Sequence, residues 1–210
     1  MLIVGAKGFA KEILEICHQK NELKDLVFYD DVNENADLLY EKFPILKNME
    51  KAEHYFRTVD KRFTLGIGNP YLRKKLADKF IHIRGELSST ISSKADIGSY
   101  GIKIGEGANI LDGVKISNDV TIGKASIIYY NSIVTHDVTI GDFVEISPDV
   151  KILGRVTIGN FCQLGSGTII LPDITIGNHV IIGAGTVVTK DLPDHCTAVG
   201  VPSKIIKQSQ

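Results

Sequence analysis

The chain has 210 residues and a formal net charge of -1, enough for one large or two small domains. Near-neutral charge without a basic run leaves no electrostatic footprint for nucleic acid, and no apolar run is long enough to cross a bilayer. The three cysteines, Cys17, Cys162 and Cys196, have no CxxC spacing, which argues against a disulfide framework or a structural zinc site.

Met1 to Val4 is apolar but is broken at once by Gly5 and Lys7. It is too short for a signal-peptide core and reads as a first strand, so the expectation is a cytoplasmic protein with no membrane partner. Gly5-Ala6-Lys7-Gly8 then forms a tight turn, and Phe9 to Gln19 a helix with Phe9, Ile13, Ile16 and Cys17 on one face. Leu26 to Tyr29 is a second strand ending at Asp30-Asp31, and Phe63 to Ile67 another, running into Gly68-Asn69-Pro70 and a basic amphipathic helix from Tyr71 to Phe80. This succession predicts a small Rossmann-like α/β domain with a parallel sheet over residues 1–84. Ligands of such sheets sit at the carboxyl ends of strands, here Gly5 to Phe9, Asp30-Asp31 and Gly68-Asn69.

From Ile104 to Val188 an aliphatic residue recurs at every sixth position without a miss. Neither a helix nor an alternating strand explains that period, whereas a hexapeptide repeat does, three units closing one triangular coil of a parallel β-helix over residues 85–190. Two positions upstream of each aliphatic the residues are small or β-branched, Ala108 to Thr168, as a narrow prism requires. Every third unit places Gly after the aliphatic (Gly105, Gly123, Gly141, Gly159, Gly177), which predicts a strained backbone at one corner. One extra residue between Ile97 and Ile104 marks an irregular first coil, and Pro193 ends the ladder, leaving residues 191–210 as a cap and tail.

Once the repeat has explained its inward columns, little chemistry remains. His136 leaves a wall at a corner and is followed by Asp137. An imidazole can take a proton from an acceptor amine or hydroxyl, and an adjacent carboxylate orients the ring. Spacing alone leaves the pair as a catalytic unit or a solvated corner. Metal binding is disfavoured, since zinc wants three or more ligands. His179 reads as a surface residue, and Cys162 as a small apolar filler. Hydride transfer is a poor fit, because only Gly5 and Gly8 stand where a dinucleotide site needs GxGxxG.

Asn131 to Pro148 around His136-Asp137, the closing Gly200-Val201-Pro202-Ser203-Lys204 and the N-terminal Gly5-Ala6-Lys7-Gly8-Phe9 resemble the hexapeptide acyltransferases that include sialic acid O-acetyltransferase and the bacterial nucleotide-aminosugar N-acetyltransferases. The resemblance implies a left-handed β-helix, a homotrimer, and a site between subunits with acetyl-coenzyme A along the helix wall. It places His136 on the general base, Asp137 on the acid that raises its basicity, and Gly154 on a backbone N–H that holds the thioester carbonyl. It also places Ser166 and Ala184 on coenzyme contacts, Lys190 and Lys204 beside coenzyme phosphates, Lys7-Gly8-Phe9 at the nucleotide-sugar phosphates, Asp30-Asp31 at the base or ribose, and Gly68-Asn69 in the same pocket. Three positions depart from the family's pattern. Tyr129 replaces an Asn and either stacks on a sugar or caps a corner, Thr135 replaces a Glu before the base, and Glu145 replaces a His that meets the acetyl end of the coenzyme. The expected activity is N-acetylation of a nucleotide-linked aminosugar by direct transfer. Its rivals are O-acetylation of a sugar and a non-catalytic trimeric nucleotide-sugar-binding scaffold. A γ-type carbonic anhydrase would need further histidines at coil spacing from His136.

Overall fold

A computed structural model describes residues 1–33 and 36–208. Contacts divide the chain into two units, Met1–Ser93 and Lys94–Gln210. The division falls past the boundary expected at residue 84 because a short strand, Glu86–Leu87, still joins the N-terminal sheet.

The first unit runs β1 (Leu2–Val4), α1 (Gly8–Gln19), β2 (Val27–Tyr29), β3 (Leu38–Leu39), β4 (Phe43–Leu46), α2 (Met49–Thr58), β5 (Arg62–Leu65), α3 (Pro70–His82) and β6 (Glu86–Leu87). Its sheet has the order β3-β4-β2-β1-β5-β6, and every pairing is parallel except β3 with β4. All three residues of β1 are buried, as a central parallel strand covered on both faces demands. The strand order reverses between β1 and β5, so their carboxyl ends flank the crevice where such sheets bind ligands. β3, β4 and α2 have no counterpart in the sequence-based expectation. The signal for α2 is present: Asn48 accepts a hydrogen bond from Lys51 N–H as an N-cap, and Ala52, Tyr55 and Phe56 form its buried face. The basic helix α3 differs from its expected form, because Arg73 turns inward and is completely buried. Its guanidinium donates to the Gly68 carbonyl, so the cation braces the loop after β5.

The second unit is a left-handed parallel β-helix with three walls. One wall carries Asn109–Ile110, Ile127–Ile128, Glu145–Ile146, Gln163–Leu164 and Ile181–Ile182. The second carries Asp96–Ile97, Lys115–Ile116, Ile133–Val134, Lys151–Ile152, Ile169–Ile170 and Val187–Val188, and the third Lys103–Ile104 followed by four Thr-Ile pairs from Thr121 to Ile176. Of the fifteen aliphatics at six-residue spacing, all but Ile104 are buried, and the column two positions upstream, Ala108 to Thr168, is wholly excluded from solvent. Each buried aliphatic contributes about 1.5–3 kcal/mol. The polar members of the upstream column are satisfied internally: Ser126, Ser132 and Cys162 donate to the carbonyls of Gly141, Ser147 and Gly177. Burial pushes the Cys17 and Cys162 thiols up to about 11, which matches a packing role.

The expected strain at Gly105, Gly123, Gly141, Gly159 and Gly177 is not found, since none of them has a positive φ. Their role is close approach. A Cβ on Gly159 would stand 2.7 Å from the Gly177 carbonyl carbon, and one on Gly141 would stand 2.8 Å from that of Gly159. The left-handed backbone lies instead three residues before each aliphatic, at all three corners, occupied by Gly101, Gly107, Gly113, Asp119, Ala125, Asn131, Asp137 and so on at six-residue spacing to Gly185. Gly, Asn and Asp tolerate that conformation, which is why so many corners carry them.

At the C-terminal end, Leu192 N–H donates to the Thr175 carbonyl on the third wall, Val187 N–H on the second wall donates to the Gly200 carbonyl, and Cys196–Val199 extends the first. A final strand, Lys204–Gln208, reverses direction and pairs antiparallel with Cys196–Val199.

Candidate active site

Three corners repeat up the β-helix, and their first residues decide what each corner can do. Between the third and first walls those residues are Lys124, Asp142, Asn160, Asn178 and Asp194. Here the side chain of each coil accepts a hydrogen bond from the corner N–H one coil earlier: Lys124 N–H to Asp142 Oδ1 (2.7 Å), Asp142 to Asn160 (2.7 Å), Asn160 to Asn178 (2.9 Å) and Asn178 to Asp194 (2.8 Å). The next residues stack as parallel rings, Phe143 on Phe161 at 5.3 Å, Phe161 on His179 at 5.2 Å and His179 on His195 at 4.5 Å. His179, expected as a plain surface residue, is part of this column. The ladder of side-chain caps goes beyond the sequence-based expectation, although Asp and Asn at eighteen-residue intervals are its sequence signal.

Between the second and third walls the corresponding residues are Tyr100, Asn118, His136, Gly154 and Pro172. Asn118 caps Tyr100 N–H in the same way (3.2 Å), but Gly154 and Pro172 have no side chain able to continue the ladder. Among the described residues, the N–H groups of His136 and Gly154 accordingly find no acceptor. The His136 ring fills the space a side chain at 154 would take: a Cβ on Gly154 would stand 2.6 Å from Cε1 and 2.9 Å from Nε2. His136 Nδ1 lies 2.7 Å from Asp137 Oδ2. A carboxylate only accepts, so Nδ1–H donates, and in the neutral imidazole that arrangement leaves the lone pair on Nε2. Both side chains are about half exposed, 54% and 53%, so the pair is open to a substrate. A shallow groove lined by Asp96, Lys115, Ser117, Ile133, Thr135 and His136 runs along the second wall to this corner. Beside the histidine, Thr135 buries its hydroxyl with no partner among the described residues.

The remaining expected residues lie elsewhere. Ser166 and Ala184 are exposed and stack one coil apart at the third corner, between the first and second walls, with Tyr129 at the same corner. Ala184 cannot cap Ser166, so Ser166 N–H is also without an acceptor among the described residues. His136 and Gly154 are therefore on one edge of the second wall, and Tyr129, Ser166 and Ala184 on the other. Glu145 stands on the first wall and accepts from Gln163 Nε2 at 2.9 Å. Lys190 and Lys204 are exposed near the C-terminal end.

In the N-terminal unit the expected loops converge on the sheet crevice. Gly5 has φ 107°, and a Cβ there would stand 2.8 Å from the Gly66 carbonyl oxygen, so the loops after β1 and β5 touch. Lys7 is the exposed N-cap of α1 and makes no capping bond with its side chain, and the first turn carries no acidic residue. The helix N-terminus is thus open to an anion. Gly8 is exposed, whereas the Phe9 side chain is buried in the core, leaving only its backbone to face a ligand. Asn69 is occupied as the N-cap of α3, accepting from Leu72 N–H at 3.0 Å. Asp30 closes its own turn by accepting from Val32 and Asn33 N–H. Asp31 is partly buried, which opposes ionisation, yet the Tyr29 hydroxyl (2.8 Å) and Lys79 (3.3 Å) hold its carboxyl below the usual range. Among the described residues, no group of three or more His, Cys, Asp or Glu is placed to hold a metal ion, and no helix is long and apolar enough to cross a membrane.

The profile of the PglD N-terminal domain matches residues 1–80, and that of the bacterial transferase hexapeptide (six repeats) matches residues 155–190. A search of curated proteins finds no match. Among solved structures, PerB from Caulobacter crescentus, in complex with CoA and GDP-perosamine, is 30% identical over 98% of this chain and 96% of its own, with a TM-score of 0.87. A histidine-to-asparagine variant of perosamine N-acetyltransferase from Caulobacter crescentus, in complex with the same two molecules, is 29% identical over 99% and 96%, with a TM-score of 0.91. WeeI from Acinetobacter baumannii AYE is 29% identical over 98% of both chains, with a TM-score of 0.88. Similarity of this extent runs through both units in the same order, and the chain belongs to the hexapeptide-repeat acyltransferase family of the sialic acid O-acetyltransferases and bacterial nucleotide-aminosugar N-acetyltransferases.

Proposed function

We propose that the protein transfers an acetyl group from acetyl-coenzyme A to the amine of a nucleotide-linked aminosugar in bacterial glycan biosynthesis. The observation that carries this reading is the His136-Asp137 pair lying over a glycine whose N–H is unpaired. The amine attacks the thioester carbonyl carbon, and His136 Nε2 takes the amine proton as the C–N bond forms. Gly154 N–H steadies the resulting oxyanion. Collapse breaks the C–S bond, and the proton on His136 passes to the departing thiolate, so no acyl-enzyme is formed. The crystal complexes of the perosamine enzyme with CoA and GDP-perosamine support the choice of donor and acceptor class.

The N-terminal unit would hold the nucleotide sugar, its phosphates at Lys7 and the α1 N-terminus, with Asp31 and Gly68 beside them. The coenzyme would lie against Ser166 and Ala184, with Lys190 and Lys204 near its phosphates and Glu145 and Tyr129 close to the reacting groups. Because Ser166 and Ala184 are on the opposite edge of a wall from His136, the complete site would need that edge from a neighbouring subunit of a homotrimer. Outward-facing Ile133, Ile169 and Val187 on the second wall and Ile181 on the first support such a contact. The reaction would take place in the cytoplasm, where both substrates are made. Thiol release from acetyl-coenzyme A, measured against a panel of nucleotide aminosugars and free hydroxyl sugars, tests the reading. Turnover confined to hydroxyl acceptors would replace it with O-acetylation, and binding of a nucleotide sugar without acetyl-coenzyme A would replace it with a sensor. Sedimentation as a monomer would remove the shared site.

A further inference from the structure

Directly above the His136 pair, the left-handed corner column reads Gly101, Asp119, Asp137, Arg155 and Asp173. Arg155 is the exception in it. An arginine at φ 62° strains a backbone that Asp, Asn or Gly adopts more readily, so the position holds a guanidinium where the local conformation favours another residue. Coils stack about 4.8 Å apart, which sets Arg155 between two carboxylates, Asp137 one coil before and Asp173 one coil after. It binds only one of them in the two-point geometry: Nε to Asp173 Oδ1 at 2.6 Å and Nη2 to Asp173 Oδ2 at 2.8 Å. Asp137 also attracts the guanidinium, though less strongly than Asp173 does. Asp137 meanwhile makes its hydrogen bond with His136 Nδ1.

We infer that Asp173 is a positioning residue for the acid–base pair: by holding Arg155 it keeps that guanidinium off Asp137 and leaves the Asp137 carboxylate to orient His136. The inference rests on the reading of His136 as the general base for its kinetic arm only. Without Asp173, Arg155 would turn to the nearest remaining carboxylate in its column. Asp137 would then share its lone pairs between a guanidinium and Nδ1–H, and the tautomer that presents Nε2 as the base would lose its anchor. Of the other charged and polar groups around His136, Asn118 and Asp119 stand one coil earlier and Lys115 and Asp96 line the groove, while the carboxylates that act on Arg155 are Asp173 and Asp137.

Asp173→Asn is the informative variant, because Asn keeps the left-handed backbone while removing the charge. Full-length protein with 15N-labelled histidine reports the His136 tautomer independently of catalysis. The expected result is a single Nδ1–H form in the unaltered protein, a mixture in Asp173→Asn, and a fall in kcat of about tenfold with KM unchanged, smaller than the loss from removing a general base. Adding Arg155→Asn should return both the tautomer and kcat to within about twofold, since the competing cation is then gone. An unchanged tautomer in Asp173→Asn overturns the inference, and so does a double variant as impaired as the single one. If the tautomer responds and reverts as expected while His136→Ala keeps full turnover, the positioning stands and the assignment of His136 as base fails.

Discussion

Two corners of the same β-helix, built on the same left-handed backbone, have opposite characters. At the corner of Asp142, Asn160 and Asn178 the first-position N–H groups of Lys124, Asp142, Asn160 and Asn178 are capped by the coil above and the following rings stack face to face. At the corner of His136 and Gly154 both regularities lapse. Gly154 and Pro172 interrupt the capping, the N–H groups of His136 and Gly154 are left without an acceptor among the described residues, and charged side chains replace the stack. A solenoid satisfies its backbone by repetition, so chemistry becomes possible where a repeat unit fails to satisfy its neighbour. The two corners differ in sequence by only a few residues per coil, and those residues separate a closed edge from an open one.

The largest expected effect is at the open corner. His136→Ala should lower kcat by at least about 10²-fold in a thiol-release assay, with coenzyme affinity by calorimetry changed little. Full turnover would make the open corner as structural as the closed one. Glycine-to-alanine substitutions at the two corners should separate activity from stability. Gly154→Ala drives its Cβ into the His136 ring, which can swing aside, so about a tenfold loss of kcat is expected with a nearly unchanged melting temperature. Gly159→Ala meets the Gly177 backbone, which cannot yield, and should cost about 1–3 kcal/mol in denaturant unfolding while the folded fraction keeps its kcat. The reverse pattern would refute the distinction.

Smaller effects test the capping ladder. Asn160→Ala leaves the Asp142 N–H without its acceptor and should destabilise by about 1 kcal/mol, with kcat unaffected. The smallest effect concerns pH. Asp194, which closes the ladder, is held below the usual carboxylate range by hydrogen bonds from the Asn178 backbone and side chain, and Asp31 is likewise held low in the other unit. A carboxylate whose folded pKa is depressed binds its proton more readily when unfolded, so its contribution is complete above about pH 4 and is lost as pH falls through the folded value. Melting temperature should therefore decline as pH falls below about 4, and Asp194→Asn, which retains an acceptor without a titrating group, should flatten part of that decline.

The period-six column made the β-helix legible because a residue that must point inward at every turn leaves a mark that no other fold shares. In the N-terminal unit, Leu2 to Val4, Leu26 to Tyr29 and Phe63 to Ile67 read as strands in the sequence, and the structure forms Leu2–Val4, Val27–Tyr29 and Arg62–Leu65. The stretch from Leu38 to Thr58 escaped because β3 has two residues, Pro44 interrupts β4, and the α2 face is narrow. The glycine column is legible in the sequence but its cause is not, since close approach between coils is a contact across eighteen residues that a local reading of backbone conformation does not contain. His136 and Asp137 were found as neighbours in the chain. The Arg155–Asp173 pair and the open N–H groups depend on what stands one coil away, and that requires knowing which residues share a corner.

The tail that meets all three walls, Leu192 on the third, Gly200 against the second and Cys196–Val199 with its reversed partner strand on the first, bears on solubility. A stack of parallel coils ends in three rows of unpaired N–H and C=O groups, each a template on which the first coil of another molecule can seat. Growth by that route is self-propagating, because every added chain presents the same end again. The antiparallel turn of Lys204–Gln208 breaks the parallel register such growth needs and sets Lys204 and Lys207 along the last edge. In this structure the tail covers the edges on which such growth would start.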